Sequence, residues 1–439
     1  MSSQIAPAAG LMLAATASGS GKTLLTMGLL AALRKRGFAL QPGKTGPDYI
    51  DPAFHTAVAG TASLTFDSFA MSAPSLHSLA QHAAGRHFVV EGVMGLFDGA
   101  ASGRGSSYEV ARILGLNLVL IVNTQGVSDT AAFIADGIRQ HCRDVTFAGV
   151  ILNQLGSPRH ATQIERLLTD FGIPCLGRFY KDSELIIPSR HLGLIQADEC
   201  VRSDNWHSFL TRLTDAVEAG LDVEALAALS ARPKTDNYIP PAASLMPPPG
   251  QRIAIARDTA FGFAYEHIMQ GWRDAGAEII PFSPLADEAA SQDADFIYLP
   301  GGYPELHLPA LSAASVFQTS LRRAAERGCL IYGECGGYMV LGSAIYGADG
   351  TYWPMANLLH LTTSFAAPKR TLGYRFLDAA TGPFAGQWTG HEYHVTQAIE
   401  ETGIPLFSVT DSLGEDRGKA GLCAGSVYGS YMHLIAKTA

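Results

Sequence analysis

Charge is scarce in this chain: only 16% of its 439 residues are charged. Long apolar runs are missing too, and none approaches the roughly 20 residues that a bilayer-spanning helix needs. Basic residues are outnumbered, 31 Lys and Arg against 40 Asp and Glu, for a net charge of −9. That balance excludes the basic footprint of a general nucleic-acid or membrane-surface binder. Cysteine is sparse and unpaired. Cys142, Cys175, Cys200, Cys329, Cys335 and Cys423 form no C-x-x-C pair and no metal-ligand spacing, so reduced thiols and a cytoplasmic setting are expected. The opening "MSSQIAPAAG" lacks a positive region followed by an apolar core, so no secretory signal is expected. What is plentiful is apolar content, 47%, in a chain too long for one ordinary core. Two packed domains are the expectation.

The first half alternates apolar runs with helical patterns. "GLMLAAT", "HFVVEG", "LNLVLIVN", "FAGVILN" and "IPCLGRF" read as buried strands. "TLLTMGLLAALRKRG" reads as a helix closed by Arg34, Lys35, Arg36 and Gly37, a cationic last turn and a glycine stop. "SDTAAFIADGIRQHC" and "SPRHATQIERLLTDFG" read as helices opening on a serine cap. Such alternation predicts a parallel sheet covered on both faces. Residues 231–250 then carry Pro240, Pro241, Pro247, Pro248 and Pro249, which fit neither helix interior nor central strand. The expected organisation is therefore a first domain over 1–232, a linker over 233–250 and a second domain over 251–439. In the second, "RIAIA", "AEIIPF", "ADFIYLPGG" and "CLIYGECGG" alternate with helices near 262–275 and at "SVFQTSLRRAAERG". Beyond residue 350, glycine-punctuated runs such as "TLGYRF" and "SVYGSYMHLIA" resemble antiparallel strands.

The stretch "LAATASGSGKTLL" nearly spells a phosphate-binding loop, with Thr16 where the first glycine would stand. Gly19 and Gly21 let the backbone wrap and point N–H groups at phosphate oxygens where a helix begins. Lys22 would reach the β- and γ-phosphates, and the Thr23 hydroxyl would ligate Mg²⁺. A magnesium nucleotide site also needs carboxylates. "KTGPDYIDP" offers Lys44, Asp48 and Asp51, and "VVEGVMGLFDG" offers Glu91 and Asp98. Glu91 closes an apolar strand, where doubly wound sheets bind their ligands. For Asp51 a cap or a solvated loop is an even alternative.

A second chemistry centres on Cys335. "CLIYGECGGYMVLG" sets it between an apolar strand and a helix with glycines on both sides, the arrangement of a nucleophile elbow. The helix N-terminus favours the thiolate. The other five cysteines read as structural. His433 in "GSYMHLIA" is the expected base, and Gly301 and Gly302 in "YLPGGYPE" are expected backbone donors to an oxyanion.

Taken together, "TASGSGKT", "GPDYIDP", "EGVMGLFDG" and "PSRHLGLIQA" resemble the cobyrinic/hydrogenobyrinic acid a,c-diamide synthases of cobalamin biosynthesis. The resemblance spans essentially the whole chain. It implies an α/β fold of two doubly wound domains: a dethiobiotin-synthetase-like phosphate-loop domain, then a class I glutamine amidotransferase-like domain. It implies that Thr16 is a family trait and that Thr16, Ser18, Gly19, Gly21, Lys22, Thr23 and Lys44 hold ATP. Thr23, Asp48 and Glu91 would hold Mg²⁺, and Asp48 and Asp98 would meet the corrinoid carboxylates. Asn153 would read the adenine edge, with a strand-end turn as the equal alternative. Glutamine and a corrinoid polycarboxylate are the implied partners, and a homodimer is left open. Lys44, Arg104, Arg190 and His191 are candidates for a basic lining, each equally readable as a surface charge.

Cys335 and His433 would release ammonia from glutamine, an acyl phosphate would accept it, and a path between domains would carry it. Triad glutaminases of this class carry Glu two residues after the histidine, where this chain has Ile435. The synthase branch resembles it in lacking that acid. What orients His433 stays open, with Glu334 and Glu392 as candidates, and "GHEYH" (390–394) is expected at an interface or substrate contact. Alternatives within the family are a cobyric acid synthase or a nickel-sirohydrochlorin a,c-diamide synthase. A partition-type ATPase with an inactive glutaminase appendage is the alternative of another class. Its signature lysine would fall at Ala17.

Overall fold

The computed structural model describes residues 10–187, 189–190, 193–233 and 245–438. The chain divides into two compact units, one of residues 1–99 and 103–242, the other centred on residues 243–439. Of the expected linker, residues 234–244 lie outside the described residues, as does His191.

The first unit is built on a seven-stranded sheet. In order across it run Leu64–Phe66, Leu40–Thr45, His87–Glu91, Leu11–Ala15, Asn117–Asn123, Thr146–Leu155 and Cys175–Tyr180. Every pairing is parallel. Central strands such as Leu11–Ala15 are buried throughout, as a sheet covered on both faces demands. The helix Lys22–Lys35 buries Leu25, Met27, Leu29, Leu30 and Leu33 completely, more than one stripe of its surface. It can do so because the helix Trp206–Gly220 covers its far side, and Leu213 and Val217 join the same core. Ser157 caps its helix, accepting from the His160 amide at 3.2 Å. Ser128 does not: the helix Thr130–His141 starts one residue later, at Asp129, without a side-chain cap.

The strand order reverses beside Leu11–Ala15, whose neighbours are His87–Glu91 on one edge and Asn117–Asn123 on the other. At such a switch point the loops leaving adjacent strands splay apart and open a crevice. The phosphate loop leaves one of these strands, and Glu91 ends its neighbour.

In the second unit a ten-stranded sheet runs Glu278–Phe282, Arg252–Ala256, Phe296–Leu299, Leu330–Glu334, Val427–Ser430, Asp416–Ala424, Ile404–Asp411, Thr371–Ala379, Gly386–His394, Met432–Lys437. The first five strands pair in parallel and the remainder antiparallel. The run "SVYGSYMHLIA" is two strands broken at Tyr431. Its first half, Val427–Ser430, pairs antiparallel with Asp416–Ala424 as expected, and on its other edge it pairs parallel with Leu330–Glu334. The break lets the chain turn, so that Met432–Lys437 joins Gly386–His394 instead.

Candidate functional site

In the first unit the chain leaves Ala15, turns through a loop with residues 17–19 exposed, and enters the helix at Lys22. Gly19 (φ +75°) and Gly21 (φ +88°) occupy the left-handed region that side chains resist. Ser20 closes the loop by donating to the Ala17 carbonyl at 2.9 Å. The Lys22 ammonium folds back to donate to the carbonyls of Met94 (2.6 Å) and Ala17 (3.2 Å). Burial, then the nearby Lys44 charge, lowers the Lys22 pKa. An anion arriving in the loop would add counter-charge to that of Glu91, Asp51 and Asp98.

Behind the loop lies a buried ionic cluster. The Lys44 ammonium, 2% exposed, donates to Glu91 Oε1 at 2.8 Å and to Asp51, with Asp48 Oδ2 at 3.5 Å. Burial opposes the Lys44 charge, but Asp51, Glu91 and Asp48 outweigh it and raise its pKa well above the ordinary value. Burial equally opposes the Asp51 charge, and Lys44 holds that carboxyl well below its usual range. Asp48 goes the other way, raised to about 7 by burial and by the Asp51 charge beside it. Glu91 is the hub. Its Oε1 accepts from the Thr23 hydroxyl at 3.0 Å, and its Oε2 pairs with His55 Nε2 at 2.7 Å.

Thr23 and Glu91 are thus adjacent oxygen donors at the loop, as a hard cation requires. Among the described residues no group of three or more His, Cys, Asp or Glu is arranged to hold a metal alone. A magnesium ion here would therefore take most of its ligands from phosphate and water, which suits it.

The other expected residues have partners of their own. Asp48 and Asp51 both sit on Lys44, and Asp48 also accepts the Ile50 amide at 2.9 Å, so Asp51 is more than a helix cap. Asp98 closes a turn by accepting the Gly95 amide at 2.8 Å. Asn153, 1% exposed, donates to the Ser20 carbonyl at 2.7 Å and so braces the phosphate loop. An adenine contact through that amide nitrogen would mean giving up this bond. Arg104 lies over the Phe69 ring at 5.6 Å. His55 carried no signal in the sequence: a lone histidine in an apolar helix reads as core. Buried with Ser63 on its other nitrogen at 3.4 Å, it orients Glu91.

In the second unit Cys335 stands between the strand Leu330–Glu334 and the helix Gly336–Leu341, at φ +46° and ψ −103°. Such strain costs about 1–3 kcal/mol and clusters at reactive positions. The flanking glycines permit it by close approach. A Cβ on Gly333 would lie 2.8 Å from the Gly337 carbonyl carbon, and one on Gly337 would lie 2.0 Å from the Leu299 oxygen. Gly301 and Gly302 border the same place. A Cβ on Gly301 would lie 2.5 Å from His433 Cε1 and 3.3 Å from Cys335 Cβ. Gly302 N lies 3.1 Å from the Cβ position of Gly336. Glycines of both loops therefore meet at the elbow, where a side chain on any of them would collide with its neighbours. By contrast, burial pushes the Cys142 and Cys175 thiols up to about 11 and about 12, which keeps them inert near neutrality.

His433, buried on Met432–Lys437, hydrogen-bonds Cys335. Burial lowers its pKa, but that bond and the charges of Cys335 and Glu334 raise it to about 10. Of the two acids considered for it, Glu334 is adjacent, its Oε2 3.6 Å from His433 Nδ1. Glu392 is spent elsewhere, on Arg375 at 2.8 Å and His394 Nε2 at 3.0 Å. "GHEYH" falls on Gly386–His394, beside the His433 strand, with His391 directly opposite His433. The Cys335 thiol points at the Tyr393 carbonyl, 3.7 Å away. The segment thus lines the elbow.

Two neutral buried histidines support this strand. Burial lowers His267 to about 4, against the Ile435 carbonyl it meets at 2.9 Å. Burial, then the His433 and Arg375 charges, lowers His391 to about 3. Depressed histidines contribute full stability above their unfolded value of 6.5 and lose it as the pH falls toward the folded values. The His433 contribution is already complete below 6.5 and cannot offset the loss. At about 1.4 kcal/mol per unit for each group, the pair costs about 4 kcal/mol at a pH of about 5. Urea unfolding of the second unit, followed by tryptophan fluorescence, should show that decline below pH 6.5. A flat profile there would contradict it.

Comparison with known proteins agrees with this division. Residues 11–195 match the CobQ/CobB/MinD/ParA nucleotide binding domain, and residues 252–439 match the CobB/CobQ-like glutamine amidotransferase domain. The hydrogenobyrinate a,c-diamide synthase of Brucella abortus is 49% identical over 431 residues, covering 97% of this chain and 98% of that protein. The chain belongs to the hydrogenobyrinate a,c-diamide synthase family. Rhizobium meliloti has a relative of the same name, 47% identical and covering 97% of this chain and 99% of its own. That of Rhodobacter capsulatus is 46% identical, covering 97% and 98%. Membership makes the protein an enzyme of the glutamine-hydrolysing ligase type, with one family domain over each site. No helix among the described residues is long and apolar enough to cross a membrane.

Proposed function

We propose that the protein amidates the a and c side-chain carboxylates of hydrogenobyrinic acid, with glutamine as nitrogen source and ATP as activating substrate. Two observations support the division of labour: a strained cysteine bonded to a buried imidazole in one unit, and a Gly-Lys-Thr loop set against Glu91 in the other. The relatives' name supports the substrate. The elbow carries the reading, because a cysteine held at positive φ beside a buried histidine is the arrangement of a nucleophile and its base.

In this reading the Cys335 thiolate attacks the glutamine side-chain amide carbon. The backbone amides at Gly302 and Gly336 face the developing oxyanion, and Gly301 leaves the space the substrate fills. His433 gives the leaving nitrogen its proton, and ammonia departs from a γ-glutamyl thioester. Water then releases glutamate and restores the thiol. In the first unit the substrate carboxylate takes the γ-phosphoryl group from ATP, giving an acyl phosphate and ADP. Ammonia displaces phosphate from it to leave the amide. Activation is required because a carboxylate is a poor electrophile. Lys22 and the loop amides neutralise phosphate charge, and Lys44 with Asp48 positions the carboxylate end of the site. Thr23 and Glu91 would hold Mg²⁺, which supplies charge neutralisation at the phosphates when bound.

The test is the mass of the product. Incubated with ATP, glutamine and hydrogenobyrinic acid, the purified protein should convert it to singly and then doubly amidated species. Turnover of cobyrinic acid alone would move the substrate to the cobalt-containing form. No turnover of either acid would defeat the proposal.

A further inference from the structure

We propose that Glu334, the residue immediately before the nucleophile, is the positioning acid of the glutaminase site and replaces the glutamate absent at Ile435. The inference rests on the glutaminase reading of Cys335 and His433.

The carboxylate is 2% exposed and lies at the end of the strand that delivers Cys335. A charge so deep costs several kcal/mol of lost hydration unless specific partners receive it. Glu334 has three. Tyr298, on the neighbouring parallel strand, donates its phenol to Oε2 at 2.8 Å. The Leu434 amide donates to Oε1 at 3.2 Å. His433 Nδ1 stands 3.6 Å from Oε2. Two of the three partners are consecutive residues of the strand that carries the base. One carboxylate therefore fixes that strand by its backbone and faces the imidazole by its charge.

This geometry performs the task of a triad acid. A carboxylate at Nδ1 selects the tautomer whose Nε2 is turned to the nucleophile, and it stabilises the imidazolium formed when the thiol is deprotonated. At 3.6 Å the carboxylate faces Nδ1 closely enough to act on the imidazole by its charge. The acid two residues after the histidine becomes unnecessary, because strand-end packing supplies one from the nucleophile's own strand. Ile435 can then be apolar and fully buried. Glu392 cannot substitute, since Arg375 and His394 engage both of its oxygens.

The experiment compares full-length wild type, Glu334→Gln, Glu334→Asp and Cys335→Ser for amidation driven by glutamine and by ammonium chloride, from pH 6.5 to 10. Glu334→Gln should lose about 10²-fold or more in kcat/KM for glutamine, with kcat falling more than KM rises. Its ammonium-driven rate should stay within about two-fold of wild type. The alkaline limb of its glutamine profile should move down by about one unit or more, because the imidazolium has lost its anion. Glu334→Asp should recover part of the rate. A glutamine rate within about three-fold of wild type, or an unmoved alkaline limb, would overturn the assignment, as would equal losses with both nitrogen sources. Undiminished glutamine use by Cys335→Ser would instead overturn the glutaminase reading beneath it.

Discussion

In a Cys335→Ser protein, glutamine-driven amidation is expected to fall by about 10³-fold or more, while amidation driven by ammonium chloride continues. The separation follows from chemistry. A serine hydroxyl at the same strained backbone keeps the volume and the elbow, but it is not ionised near neutrality. His433 would have to remove a proton that a thiol gives up far more readily. Ammonia added from solution bypasses the elbow and meets the activated carboxylate directly. The measurement is product mass with each nitrogen source, together with glutamate release. Equal glutamate release by wild type and variant would remove Cys335 from the mechanism. Loss of the ammonium-driven rate as well would show that the substitution had damaged the rest of the protein.

The elbow was legible in the sequence because its constraints are local. A strained turn between strand and helix needs small residues on each side of the nucleophile, and "GECGG" displays them. The phosphate loop was legible for the same reason. Much of the surrounding site was not. The strand Leu40–Thr45, which carries Lys44, contains Pro42 and Gly43, which weaken any strand pattern. Only its place between Leu64–Phe66 and His87–Glu91 makes it a strand. His55 looks like core until the fold brings Glu91 to it, 36 residues on. Asn153 signals a strand end, and only the packed loop shows what its amide holds. The residues that orient catalytic groups come from distant parts of the chain, so spacing along the sequence carries no trace of them. Glu334 is an instructive exception. It adjoins the cysteine, yet its meaning depends on a histidine 99 positions later, brought beside it by the last strand of the sheet.

The same dependence makes Lys44 the residue whose loss should cost most in stability. Replacement by methionine keeps much of the buried length and removes the only cation seen to contact Asp51 among the described residues. Glu91 keeps Thr23 and His55 but loses its nearest full positive charge. Breaking a buried ion cluster from one side typically costs about 3–5 kcal/mol, because the remaining charges stay buried without compensation. For a unit of this size that lowers Tm by roughly 10 °C. The deficit has a definite pH dependence. Without Lys44, Asp51 and Asp48 keep their burial and mutual repulsion but lose the cation that opposes both, so their folded pKa values rise. Groups raised in this way withdraw stability as the pH increases. The Lys44→Met deficit should therefore be largest at alkaline pH and shrink on acidification toward the carboxylate range. ATP-dependent amidation should be lost, whereas glutamate release at Cys335 should continue below the temperature at which the first unit melts. Calorimetry across pH, paired with both assays, reads all of this. A variant melting within about 2 °C of wild type at alkaline pH would show that the cluster contributes no net stability through Lys44.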